Sequence, residues 1–175
     1  MMRAGENEFR RLVDEHKSMV FSIALRILGE RGAAEEAAQD VFLKLHSSLK
    51  SLESADHVTF WLRRVAIHRA TDYLRRRAHR PESGAEEWQE DRHAAPETSL
   101  SARGIETRLE AMLLSLPEAL RAPAVLRYQE GMEPEEIAQV LGQPVATVKS
   151  NLQRGVELLR RKSSVVLKEF IRGSA

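Results

Sequence analysis

Four histidines, His46, His57, His68 and His79, recur every eleven residues and are the first candidates for chemistry. Imidazoles at a helical repeat could hold a metal if one ion reached several of them. Eleven residues return a helix to the same face, but they also advance it about 16 Å at ~1.5 Å per residue. Ligands must converge on one ion, so these four form no single site. The sequence has no cysteine, which removes thiolate nucleophiles, disulfides and thiolate-bound zinc. HExxH, a glycine-rich phosphate cradle and a nucleophile elbow are also missing, so neither a catalytic set nor a metal or other cofactor is expected, and the chain reads as a non-enzyme.

Cationic and hydrogen-bonding groups remain. The formal net charge is only +1, but it is unevenly spread: residues 1–56 carry −2, 57–80 carry +6, 81–144 carry −8 and 145–175 carry +5. Two compact basic blocks flank an acidic middle. Such blocks are suited to phosphates, because each neutralised phosphate releases condensed counterions. In the second block Val148, Leu152, Val156 and Leu159 share one helical face, which turns Lys149, Ser150, Gln153 and Arg154 to the opposite side. These side chains can reach base edges or phosphates from an element whose width fits the major groove.

The elements that would hold these groups are helical. Hydrophobic residues make up 42% of the 175, charged residues 30%, and only 5 Phe, 2 Trp and 2 Tyr are aromatic, a balance that favours helices over sheets. Apolar residues at spacings of three and four predict a helix from Phe9 to Leu28, stopped at Gly29, and a second from Ala34 to Leu49. Lys50 to His57 reads as a loop, followed by a helix from about Val58 to His79 that ends in Arg75, Arg76 and Arg77. Pro81 to Arg103 holds six carboxylates and few large apolar residues, the composition of a flexible linker.

Beyond it, a short helix through Ile105 and Leu113 ends at the Leu116-Pro117 step. A further helix from Pro117 to Gln129 must be weakened or kinked at Pro123. Pro134 opens a segment that closes at Gly142, and a long helix runs from Val145 to about Lys162. Helix, glycine turn, helix is the spacing of a helix-turn-helix. An apolar patch from Val165 to Ile171 follows as a short local helix. The fold class is therefore all-α: two small helical domains, 1–80 and 104–175, joined by linker 81–103. No apolar run approaches the ~18 residues needed to cross a bilayer, and the lack of cysteine fits a reducing compartment. A cytoplasmic protein without membrane insertion is expected.

Ala34-Glu35-Glu36-Ala37-Ala38-Gln39-Asp40-Val41-Phe42, then Phe60-Trp61-Leu62 and Asp72-Tyr73-Leu74-Arg75, resemble domain two of bacterial RNA polymerase sigma factors of the extracytoplasmic-function (ECF) type. Leu116-Pro117-Glu118, Glu135-Glu136-Ile137-Ala138 and Val145-Ala146-Thr147-Val148-Lys149-Ser150 resemble their domain four. The resemblance covers nearly the whole chain in the family's order. It implies a transcription initiation factor that binds core polymerase, through the β′ clamp and the β subunit, and directs it to promoters. Glu36, Gln39 and Asp40 would face the clamp, with Phe42 in the core.

The same resemblance implies that the promoter −10 element meets Ser51, Asp56 and His57 of the loop and Arg63, Arg64, His68 and Arg69 of the helix after it, with Trp61 in the core. Capturing an unstacked base would call for such groups. The −35 element would meet Thr147, Lys149, Ser150, Gln153 and Arg154. An anti-sigma factor or similar inhibitory partner is also implied. The chain departs from the family pattern at five positions: Asn151 stands where arginine is usual, Gly155 for alanine, Glu133 for a Ser or Thr cap, and Ile67 and His68 for arginine and asparagine. The competing reading is a stand-alone helix-turn-helix regulator that binds DNA as a dimer; it would leave residues 1–80 as a generic effector domain.

Overall fold

The computed structural model describes the backbone of residues 2–52, 54–78 and 110–173, and within these the side chains of 6–49, 51–52, 54–78 and 110–163. The expected acidic linker 81–103, the start of the helix through Ile105, and the side chains of the Val165–Ile171 patch lie outside that set.

Helix α1 spans Met2–Leu28, beginning before the expected Phe9, and buries Leu12, Val20, Ile23, Ala24 and Ile27. Gly29 ends it with φ 73°, its N–H bonded to the Leu25 carbonyl at 2.8 Å. Helix α2, Arg31–Ser48, turns four alanines, Ala33, Ala34, Ala37 and Ala38, together with Val41 and Leu45 to the interior. Short side chains let it lie close to α1.

Lys50 to His57 is not one loop. Leu49–Ser51 forms a 3-10 turn, and helix α3 already starts at Ala55, running to Ala78. The reason is Ser54, whose Oγ accepts the His57 backbone N–H at 3.2 Å, so a serine N-cap brings Asp56 and His57 into the first helical turn. Val58, Leu62, Val65, Ala66 and Ala70 then pack inward. Each fully buried Ile or Leu in this bundle, such as Ile23, Leu45 or Leu62, contributes roughly 1.5–3 kcal/mol.

Residues 110–114 are helical up to the Leu116-Pro117 step, and α4 follows as Glu118–Ala124. Pro123 has no N–H and its ring crowds the carbonyl four residues back. Directly after it the chain widens into a π-turn, Val125–Gln129, in which the Glu130 N–H reaches the Val125 carbonyl at 3.3 Å. Helix α5 is Pro134–Leu141, closed by Gly142 in the left-handed conformation (φ 62°). Glu133 does not weaken its start, because Glu136 Oε2 accepts the Glu133 backbone N–H at 2.8 Å. Helix α6 runs unbroken from Val145 to Gly173, past the expected end near Lys162.

The two groups of helices are not separate bodies. A single buried cluster joins Leu12, Ile23, Leu62 and Ile67 of the first three helices to Val125, Leu126, Met132, Ile137, Val140 and Val148 of the second group. A smaller cluster, Leu113, Leu116, Leu120 and Ala124, packs under Leu158 and Leu159 of α6.

Candidate polymerase and nucleic-acid interfaces

On α6 the periodic reading matches the structure. Val148 is fully buried and Leu152 nearly so, while Thr147, Lys149, Gln153 and Arg154 are exposed and Ser150 is half-buried. The Gly142 turn presents this face by letting the chain reverse between α5 and α6. Lys149 Nζ meets Glu135 Oε1 of α5 at 3.0 Å, and that hydrogen bond holds the Glu135 carboxyl below its ordinary pKa. Gln153 Nε2 reaches Glu157 Oε1 at 3.4 Å. Both contacts are exposed and exchangeable for phosphate or base partners. Gly155 lies buried against Leu120, with room for a Cβ at an ordinary 3.9 Å.

The seven residues expected at the −10 element are not gathered into one patch. Ser51 stands on the 3-10 turn and donates to the Ser48 carbonyl at 2.7 Å. Asp56 and His57 are exposed in the first turn of α3, and Arg64 and His68 are exposed further along. Spacings of seven and four put His57, Arg64 and His68 on one stripe. Burial, the Arg64 charge and Lys44 lower the His68 pKa, opposed by a hydrogen bond to the Val140 carbonyl and by Asp72.

Arg63 and Arg69 leave that stripe in opposite directions. Arg63 Nε donates to Glu130 Oε2 at 2.9 Å, and the Glu130 side chain is only 7% exposed. Arg69 enters the groove between α2 and α3. There it lines a cleft of about 330 Å³ with Lys44, Val65, His68 and Asp72, and a neighbouring one with Glu36, Asp40, Asp72 and Arg76. Arg69 thus stands beside two of the residues expected to face polymerase.

Glu36, Gln39 and Asp40 are all exposed on α2. Leu43, one turn on, is 70% exposed and continues their face. Phe42 and Trp61 are half-buried and pack on the core. Sequence reasoning missed Lys44, Glu130 and Arg121. Arg121 donates to the Ile27 carbonyl at 2.6 Å and to those of Leu114 and Leu116 at 2.6 and 2.9 Å. It fills orphan acceptors at the ends of two helices, and its own burial lowers its pKa. Periodicity carries no signal for such a contact. Among the described residues no group of acidic or imidazole side chains could hold a metal, and no helix is long and apolar enough to cross a membrane.

Comparison with known proteins converges on one family. Residues 12–80 match Sigma-70 region 2, and residues 106–159 match Sigma-70, region 4. The RNA polymerase sigma-H factor of Pseudomonas aeruginosa is 30% identical, over 97% of this chain and 93% of that protein. The ECF RNA polymerase sigma factor SigW of Bacillus subtilis is 26% identical over 91% of each. Among solved structures, the sigma factor RpoE bound to the anti-sigma factor NepR from Bartonella quintana has the same fold, with TM-score 0.68 at 20% identity, over 90% of this chain and 98% of that one. CnrH in complex with the cytosolic domain of CnrY gives TM-score 0.64 at 22% identity, over 91% of this chain and 90% of that one. A dimeric regulator with a generic N-terminal half is not favoured, since that half matches region 2. The chain belongs to the sigma-70 family as an ECF-type sigma factor, a transcription initiation factor that directs RNA polymerase to promoters.

Proposed function

We propose that residues 1–80 hold core polymerase and the −10 element, residues 104–175 hold the −35 element, and residues 81–103 bridge them. The observation that carries this reading is the outward face of α6: Val148 and Leu152 are drawn inward, leaving Thr147, Lys149, Gln153 and Arg154 open after the Gly142 turn. Ser150 sits at the edge of that face. On α3, His57, Arg64 and His68 are the open groups for the −10 strand, with Ser51 and Asp56 beside them. The exposed Glu36, Gln39 and Asp40 of α2 form an acidic docking surface for the polymerase clamp.

The protein acts by binding, without catalysis of its own, in the bacterial cytoplasm where polymerase works. An anti-sigma factor is its natural inhibitor; the structural neighbour RpoE is in complex with the anti-sigma factor NepR. Transcription reconstituted from purified core polymerase, this chain and a panel of promoter fragments tests the reading. A product that needs both the chain and a −35 element, and that falls when Arg154 becomes alanine, supports it. Unaided binding to a palindromic site with no effect on polymerase would overturn it.

A further inference from the structure

Lys44 and Arg69 are cations that the promoter reading leaves unused. Lys44 of α2 lines a cleft of about 330 Å³ with Val65, His68, Arg69 and Asp72 of α3, a volume at the small end of the range for ligand sites. Val65 gives it an apolar wall. Among the described residues the side chains of Lys44 and Arg69 have no ion-pair or hydrogen-bond partner. Asp72 does not serve as one: its carboxylate lies 4.0 Å from Arg75 Nη1.

The field inside the cleft is positive. Burial lowers the His68 pKa and Arg64 and Lys44 lower it further, while the Val140 carbonyl and Asp72 raise it without restoring the ordinary value. Like charges gathered in a partly covered cleft repel one another. An anion among them removes that cost.

The donors specify the anion. An ammonium, a guanidinium and an imidazolium are three separate donors, and a phosphoryl group offers three terminal oxygens to receive them. A carboxylate offers two. The adjoining cleft excludes a continuous strand, because beyond Arg69 and Asp72 it is lined by Glu36 and Asp40, which would repel the next phosphate. Those carboxylates can instead accept hydrogen bonds from a hydroxyl or amino group. The ligand that fits has one phosphate end and a donor-bearing body.

We propose that the cleft between α2 and α3 binds the terminal phosphate of a small phosphorylated molecule of the nucleotide class, through Lys44, His68 and Arg69, with Asp72 and Asp40 accepting from its hydroxyl or amino groups. The site goes beyond the promoter reading and does not depend on it.

Titration calorimetry on the full chain, with adenosine 5′-monophosphate, adenosine and inorganic phosphate as probes, tests the proposal. The monophosphate should bind saturably at one site, inorganic phosphate should compete with it, and adenosine should not bind. Lys44→Ala should weaken the monophosphate at least about tenfold, and Lys44→Arg should restore it. Lys44 is exposed, so neither substitution disturbs the core. Lys17→Ala, which removes an exposed cation of α1 paired with Asp14, should leave the affinity unchanged. In nuclear magnetic resonance the His68 imidazole should titrate at higher pH with the monophosphate bound than without it. No saturable binding of the monophosphate, or an equal loss on Lys17→Ala, would overturn the site. So would an unphosphorylated single-stranded −10 oligonucleotide that displaces the monophosphate and itself loses affinity on Lys44→Ala, since the cleft would then hold a strand phosphate.

Discussion

Helices α3 and α6 each carry a cationic surface suited to DNA, yet they differ in how many of their sides are covered. Helix α6 buries one stripe, Val148, Leu152 and Gly155. Its outer side is what remains. Helix α3 is gripped from two sides, with Leu62 facing the N-terminal bundle and Ile67 facing helices that follow some sixty residues later. A helix with one covered stripe can be read from its own residues. One with two requires knowledge of what comes to lie on it, and Arg63 looks like any solvated arginine until Glu130 arrives.

The comparison can be tested most severely at the core common to both halves. Ile137→Ala removes a fully buried side chain from the cluster that unites them and should cost about 2–5 kcal/mol. Chemical denaturation should show one transition moving to lower denaturant. A second, unmoved transition would show that the halves melt independently and that the contact between them is superficial.

Next in size is the difference between the two proposed DNA faces. Arg154→Ala should weaken binding to a −35 fragment by about 1–3 kcal/mol, read by titration of the polymerase holoenzyme at fixed salt. Arg64→Ala should leave −35 affinity unchanged and instead slow open-complex formation, measured by permanganate reactivity of the −10 strand. Equal effects of the two substitutions on both readouts would erase the division between the helices.

A smaller effect is expected at Gly155, where the departure from the family pattern can be repaired. Its surroundings accept a Cβ at 3.9 Å, so Gly155→Ala should stabilise α6 by about 1 kcal/mol, seen as a rise in melting temperature. A fall would mean that Leu120 cannot tolerate even this contact.

The smallest concerns pH. The His68 pKa is lowered from 6.5, by burial first and then by Arg64 and Lys44, against the Val140 carbonyl and Asp72. The unfolded chain therefore binds a proton at higher pH than the folded one. This contribution to stability is complete above pH 6.5 and is lost as the pH falls through the lowered value. His68→Phe should flatten that part of the stability profile; an unchanged slope would assign it to other groups.

Much of this was legible beforehand. Gly142 and Pro134 fixed the ends of α5, and Pro123 announced a disturbance that took the form of the π-turn after it. Glu36, Gln39 and Asp40 are as exposed as the resemblance implied. The start of α3 was misplaced because Ser54 was passed over as a cap. Glu133 departs from the Ser or Thr pattern without loss, because Glu136, three residues on, accepts its backbone N–H. Closure of the molecule could not be read at all: it depends on Arg121, Ile67 and Glu130, whose partners lie far away in the chain.

Arg121 gives that closure an unusual tolerance to sequence drift. Among the described residues its guanidinium donates to main-chain oxygens, those of Ile27, Leu114 and Leu116. Neighbouring side chains can change without loosening the clasp, provided the helix ends stay where they are. Lysine, a single ammonium without a planar fork, could not meet three acceptors converging from two directions. This part of the joint therefore reads the course of the backbone and not the side chains that the backbone carries.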